Sequence, residues 1–163
     1  MRWRWLERRD QRQRRYYRTL VAAANGMTRI RALPRLCRLM VYIVNRAVGL
    51  TNSALFLYHP GRRRYELAVA RYPHLLPHAL SLEDGQAAIE VLKGRRGVVV
   101  RRSQSGDPSS VGPWALAVRW MEELEWFLLV PSFSNDRLLG FLALGAKRSG
   151  APYTKDDLEL FST

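Results

Sequence analysis

The chain has a single cysteine among its 163 residues. Cys37 therefore has no partner for an internal disulfide, a composition that suits a reducing compartment. No stretch approaches the ~18 consecutive apolar residues that a bilayer-crossing helix needs. The N-terminus is basic, but no apolar segment of signal-peptide length follows it. Leu20 to Ala24 is too short and lies too far along. Histidine is scarce too, and His59, His74 and His78 fall among turn and loop signals. His74 and His78 have the spacing of ligands on one helix face, but Pro73 and Pro77 break a helix there and no third ligand is near in sequence. Surface histidines are the favoured reading.

Chemical motifs are missing as well. There is no GxGxxG, P-loop, HExxH or CxxC pattern. Glu122, Glu123 and Glu125 form an acidic cluster, but paired carboxylates need a cleft that separates their pKa values. A solvated helix end is the better reading. The glycine-containing stretch 106–112 lacks a following Lys-Ser/Thr, so it makes a weak phosphate cradle. The expectation is a chain with no catalytic residues, no metal and no cofactor.

What is present is positive charge, unevenly spread. The formal net charge is +13. Residues 1–38 hold twelve arginines against Glu7 and Asp10, so they carry most of the excess. The remainder is close to balanced. Residues 1–24 interleave Arg with Trp3, Trp5, Tyr16 and Tyr17, without Pro or Gly, which predicts a helix. Asn25-Gly26 is its stop signal. The domain boundary is placed there, with 1–27 an Arg/Trp-rich extension and 28–163 one globular domain.

Along that domain the pattern alternates. Thr28 is an N-cap candidate, with Pro34 in the early turns. From Leu33 the apolar residues at 36, 39, 40, 43, 44, 47 and 48 follow a helical period, and Gly49 ends it. A strand is expected over 52–58, a turn at His59-Pro60-Gly61, and a half-exposed strand over 65–71. Ser81 is a cap candidate for a helix over 82–93, with Glu83 and Asp84 in its first turn. A short strand at 98–100, a loop over 101–113 and a helix over 114–123 follow.

The last third is the most informative. Trp126 to Phe133 and Leu138 to Leu144 are apolar runs of strand length, joined by the turn Ser134-Asn135-Asp136-Arg137. Both runs are nearly continuous, so both faces of these strands should be covered. Gly140 inside an apolar run signals a bulge or a close backbone approach, and Pro131 calls for a bulge or an unpaired position. Thr154 with Asp157 three residues on approximates a capping box.

Taken together, Val130-Pro131, Leu138-Leu139-Gly140, Leu142, Leu144-Gly145, Tyr153-Thr154, Asp156-Asp157-Leu158 and Leu160 resemble the end of a bacterial GAF domain. The resemblance extends backward over a helix at 33–48 and Ser53 to Tyr58, covering roughly residues 30–163. It implies an α+β, PAS-like fold with a central antiparallel sheet and helices on both faces. It also implies a non-catalytic sensory domain of a signalling protein, such as a sensor histidine kinase or a cyclic-di-GMP enzyme. Such a domain would be cytoplasmic, at or near the inner face of the membrane, and would end within a helix that leads to an output domain. Bilin-binding members attach pigment through a cysteine, and the methionine-sulfoxide reductases of the family use several. Cys37 precedes the first strand and matches neither arrangement. The NKFDE motif of cyclic-nucleotide binders is absent.

In such a domain the ligand cavity lies between the sheet and the middle helices. Strand alternation puts Ala54, Phe56 and Tyr58 on one face and Leu55 and Leu57 on the other. Phe56 and Tyr58, with Trp114, Met121, Leu142 and Leu144, are the pocket candidates. Plain apolar core is the competing reading for all six. In the N-terminal extension Trp3, Trp5, Arg8, Arg12 and Arg15 are candidates for contact with an anionic membrane or with phosphate. A homodimer through the terminal helices is the favoured assembly, and nucleic acid ranks last because no nucleic-acid fold accompanies the charge. Two alternatives stand beside the sensor: a ligand-free interaction module of the same fold, and a basic peripheral-membrane or nucleic-acid binder.

Overall fold

The computed structural model describes residues 32–72, 85–101 and 112–161. The N-terminal extension, the boundary at residue 27, Thr28, Ser81, Glu83 and Asp84 lie outside these residues.

The first helix, α1, spans Leu33–Val48. The position before it is Ala32, which offers no side-chain cap, and Pro34 pre-sets the first turn instead. At the other end Gly49 adopts φ 71° and donates its N–H to the Asn45 carbonyl, a left-handed C-terminal cap that suits glycine. The chain then runs through β1 (Ser53–His59), β2 (Arg64–Arg71), α2 (Gln86–Arg95), β3 (Val99–Val100), α3 (Pro113–Glu123), β4 (Trp126–Ser134), β5 (Arg137–Gly145) and α4 (Lys155–Phe161).

The five strands form one sheet in the order β2-β1-β5-β4-β3, with every neighbouring pair antiparallel. Two hairpins supply most of it. β1 and β2 join through a turn in which Arg63 has φ 52°, and β4 and β5 through Asn135, with φ 53°, and Asp136. The seam between the hairpins is β1 on β5, where Leu55 pairs with Leu142 and Phe56 with Phe141. β5 is the middle strand, which explains its continuous apolar run: Gly140 to Gly145 are all buried. Pro131 pairs with Phe141 on β5, while β3 pairs only as far as Leu129 on the opposite edge. Among the described residues no strand requires the missing Pro131 N–H there.

Each face of the sheet has its own core. On one face Ala54, Phe56, Trp126, Leu129, Phe141 and Ala143 pack against Ile89 and Leu92 of α2 and Ala117, Trp120 and Met121 of α3. On the other, Leu55, Leu128, Leu142 and Leu144 pack with Leu50, with Cys37 and Val41 of α1, and with Phe161 of α4. Fully burying each large apolar side chain contributes roughly 1.5–3 kcal/mol. The helices thus cover both faces, as the α+β expectation requires. Among the described residues no helix is long and apolar enough to cross a membrane.

α4 is held to the end of β5 by a polar cluster. Asp157 accepts hydrogen bonds from the Thr154 backbone N–H (2.6 Å) and hydroxyl (2.9 Å), and the Asp157 N–H donates back to Thr154 Oγ1 at 3.2 Å. This is the reciprocal capping box anticipated from sequence. Lys147 pairs with the same carboxylate at 2.5 Å, and the Tyr153 hydroxyl donates to the Gly145 carbonyl at 2.6 Å.

Candidate functional site: the aromatic face under α2 and α3

β1, β4 and β5 are pleated, so period-2 alternation lines up every second side chain on one face. On the α2/α3 side that alternation gathers rings. Phe56 stacks on Phe141 with centroids 4.9 Å apart and meets Trp126 edge-on at 5.6 Å. Trp120 of α3 meets Trp126 edge-on at 5.0 Å. Tyr65 of β2 lies 6.2 Å from Phe141 and 5.2 Å from Tyr58. Offset stacked and edge-to-face pairs of this kind are worth about 0.5–1.5 kcal/mol beyond area burial.

Polar atoms on this face are few, so each one counts. The Tyr65 hydroxyl donates to the Leu138 carbonyl at 2.8 Å, and burial pushes its pKa above the usual tyrosine value. The indole Nε1 atoms of Trp114 and Trp120 are buried and have no acceptor. Trp120 as a whole is only 4% exposed. At the rim, Arg95 stacks on Trp114 at 4.2 Å and Lys93 lies 5.9 Å from the Tyr65 ring centre. Both belong to α2, whose last turn is basic.

Four of the six pocket candidates reach this face. Phe56 and Met121 are fully buried in its core, and Tyr58 and Trp114 pack against it partly buried. Leu142 and Leu144 do not reach it. They sit in the opposite core with Cys37, Val41 and Phe161, because Leu142 is in register with Leu55 and shares its face. Phe141 and Ala143 take the places expected for them. Trp3, Trp5, Arg8, Arg12 and Arg15 fall outside the described residues.

Trp120, Trp126, Tyr65 and Phe141 were missed. A signal for Trp120 exists: Ala117, Trp120, Met121 and Leu124 recur at i, i+3, i+4 and i+7, the stripe α3 buries. No comparable signal selects Tyr65 or Phe141, whose placement depends on strand pairing.

The remaining chemistry-bearing groups are dispersed. Cys37 is buried against the sheet, and burial pushes its thiol pKa up, which keeps it protonated. Glu122, Glu123 and Glu125 are exposed, with Glu123 paired to Arg119 at 3.2 Å. His59 is exposed and accepts the Arg62 backbone N–H. His74 and His78 lie outside the described residues, and so does most of the 106–112 stretch.

A family model described as GAF domain matches residues 40–163. No curated protein matches the sequence.

Proposed function

The chain belongs to the GAF domain family, a family of regulatory and sensory domains, and from that premise we propose that its aromatic face under α2 and α3 binds a small molecule. The observation that carries this reading is the pair of buried indole N–H groups without acceptors. An unmatched buried donor costs about 1–3 kcal/mol, and a ligand acceptor placed against it recovers much of that cost. The fitting ligand has a flat, mostly apolar body and a neutral acceptor such as a carbonyl or ring nitrogen. Catalysis has no part in the proposal.

The reading extends to signal relay. α1 and α4 share the sheet face opposite the aromatic one. A ligand that moved Phe56 or Phe141 would act on Leu55 and Leu142, the next residues along the same strands, and so on the terminal helices. In this proposal the domain is a homodimer built on its N-terminal extension, residues 1–27, and its C-terminal helix α4. It serves a bacterial signalling protein, such as a sensor histidine kinase or a cyclic-di-GMP enzyme, on the cytoplasmic side.

The test is a thermal-shift screen of aromatic compounds bearing a neutral acceptor. A specific ligand raises Tm, because it binds the folded state alone. Trp120→Phe keeps an aromatic ring but deletes the donor along with the five-membered half of the indole, and should weaken that ligand roughly 5- to 30-fold. If no compound raises Tm, or if Trp120→Phe leaves affinity unchanged, the ligand reading fails at this face. One observation favours a second reading, a ligand-free interaction module. Phe56, Met121, Trp126 and Phe141 are all at 0% exposure, and Phe56 packs ring against ring on both Trp126 and Phe141.

A further inference from the structure

α1 contains no Asp or Glu, and its buried side is made by Leu36, Cys37, Val41 and Asn45. Away from that side lie Arg35, Arg38, Leu39, Tyr42 and Arg46, at i, i+3, i+4, i+7 and i+11. This spacing places them on one helix face. All five are exposed, Leu39 to 50% and Tyr42 to 42%.

The basic stripe continues past the helix. Arg46 donates to the Tyr42 hydroxyl at 3.0 Å, and the Arg71 guanidinium lies 5.1 Å from the Tyr42 ring centre. Arg71 also lies 5.5 Å from the ring of Tyr72, whose hydroxyl accepts a hydrogen bond from Arg148. Arg148 is anchored in turn by its Nε donating to the Leu50 carbonyl at 3.0 Å. Charge therefore runs without a break from α1, across the end of β2, to the loop after β5.

Among the described residues, none of Arg35, Arg38, Arg46, Arg71 and Arg148 is paired with a carboxylate. Carboxylates pair elsewhere: Glu66 with Arg62 and Arg64, Asp136 with Arg96, Glu123 with Arg119, and Asp157 with Lys147. Arg71 lies against two tyrosine rings, and the exposed guanidinium groups of Arg35, Arg38 and Arg46 can donate to oxyanions.

We propose that this face docks on an anionic phospholipid bilayer. Leu39, set among the arginines, decides between partners. A bilayer surface offers phosphates for the guanidinium groups and an apolar layer just beneath for the leucine. A nucleic-acid duplex offers phosphates, but an exposed leucine can enter it only by wedging base steps apart at the cost of their stacking. A second copy meeting this face across a two-fold axis would set arginine against arginine.

The full chain is mixed with vesicles of phosphatidylcholine alone and of phosphatidylcholine with phosphatidylglycerol, and separately with duplex DNA. Binding is expected to the anionic vesicles and not to the neutral ones, and is expected to fall as salt rises. Arg35→Gln/Arg38→Gln/Arg46→Gln should weaken it on the order of a hundredfold, at roughly fivefold per arginine. Leu39→Ser should weaken vesicle binding roughly fivefold without altering the charge. All four side chains are exposed, and an unchanged thermal melt establishes that the variants fold. Three results overturn the proposal: equal binding to neutral vesicles, a triple variant that binds like the parent, or a Leu39→Ser variant that binds vesicles like the parent. The last, joined to loss of DNA binding in the triple variant, would identify a nucleic-acid partner instead.

Discussion

A methyl group on Gly140 would strike the Phe56 carbonyl oxygen, backbone against backbone, with the Leu57 side chain 2.9 Å away. Gly140 is paired with Leu57 of β1 and Ser132 of β4, so neither neighbour can retreat without breaking a ladder. Gly140→Ala should therefore destabilise the fold by about 2–3 kcal/mol, read as a lower urea midpoint at unchanged slope. A variant as stable as the parent would mean that β1 gives way easily. This constraint was legible in the sequence, because an isolated glycine in an apolar run has few other uses. The unpaired indole of Trp120 was not. Hydrogen-bond satisfaction belongs to three-dimensional surroundings, and a tryptophan in a helical stripe reads the same whether or not its N–H finds an acceptor.

At the scale of elements, α4 depends on one carboxylate. Burial works against the charged form of Asp157, but hydrogen bonds from Lys147 and Thr154 outweigh it and hold its pKa below the ordinary 3.8. A carboxyl whose folded pKa is depressed stabilises the fold fully above its unfolded pKa, and loses that contribution as pH falls toward the folded value. α4 should thus loosen on acidification below about pH 4, and Asp157→Asn should cost about 2 kcal/mol and flatten that part of the pH–stability profile. Equal acid sensitivity in the Asn variant would assign the effect to other carboxyls. The same scale shows what punctuation in the sequence reveals. Gly49 ends α1 as read, and the capping box at Thr154 opens α4 where expected. Register was the hidden quantity. The apolar run of β5 is continuous, so which half of it joins Phe56 depends on Leu55 meeting Leu142, and one residue of slip would reverse the answer. That register puts Leu142 and Leu144 in the core beneath α1 and α4 rather than among the rings.

For the whole molecule, the sheet divides the interior into two cores that meet only through strands. β5 is flanked by β1 and β4 and covered on both faces, so its amides should be the last to exchange. Native-state hydrogen exchange should find Leu142 to Leu144 protected to the global unfolding free energy and the edge strand β2 released earlier. Faster exchange in β5 than in β2 would contradict the two-core description. The net charge of +13 acts at this scale too, favouring loose, salt-sensitive contact with any polyanion.

The strand order also bears on how the chain reaches this state. Each hairpin closes across a short turn, a microsecond event. Joining β1 to β5 is different in kind, since it brings together strands from opposite ends of the described chain. The entropy of closing so long a loop is met before any seam contact forms. The rate-limiting step of folding should therefore be the meeting of two preformed hairpins, and the Leu55–Leu142 and Phe56–Phe141 contacts should set the height of that barrier.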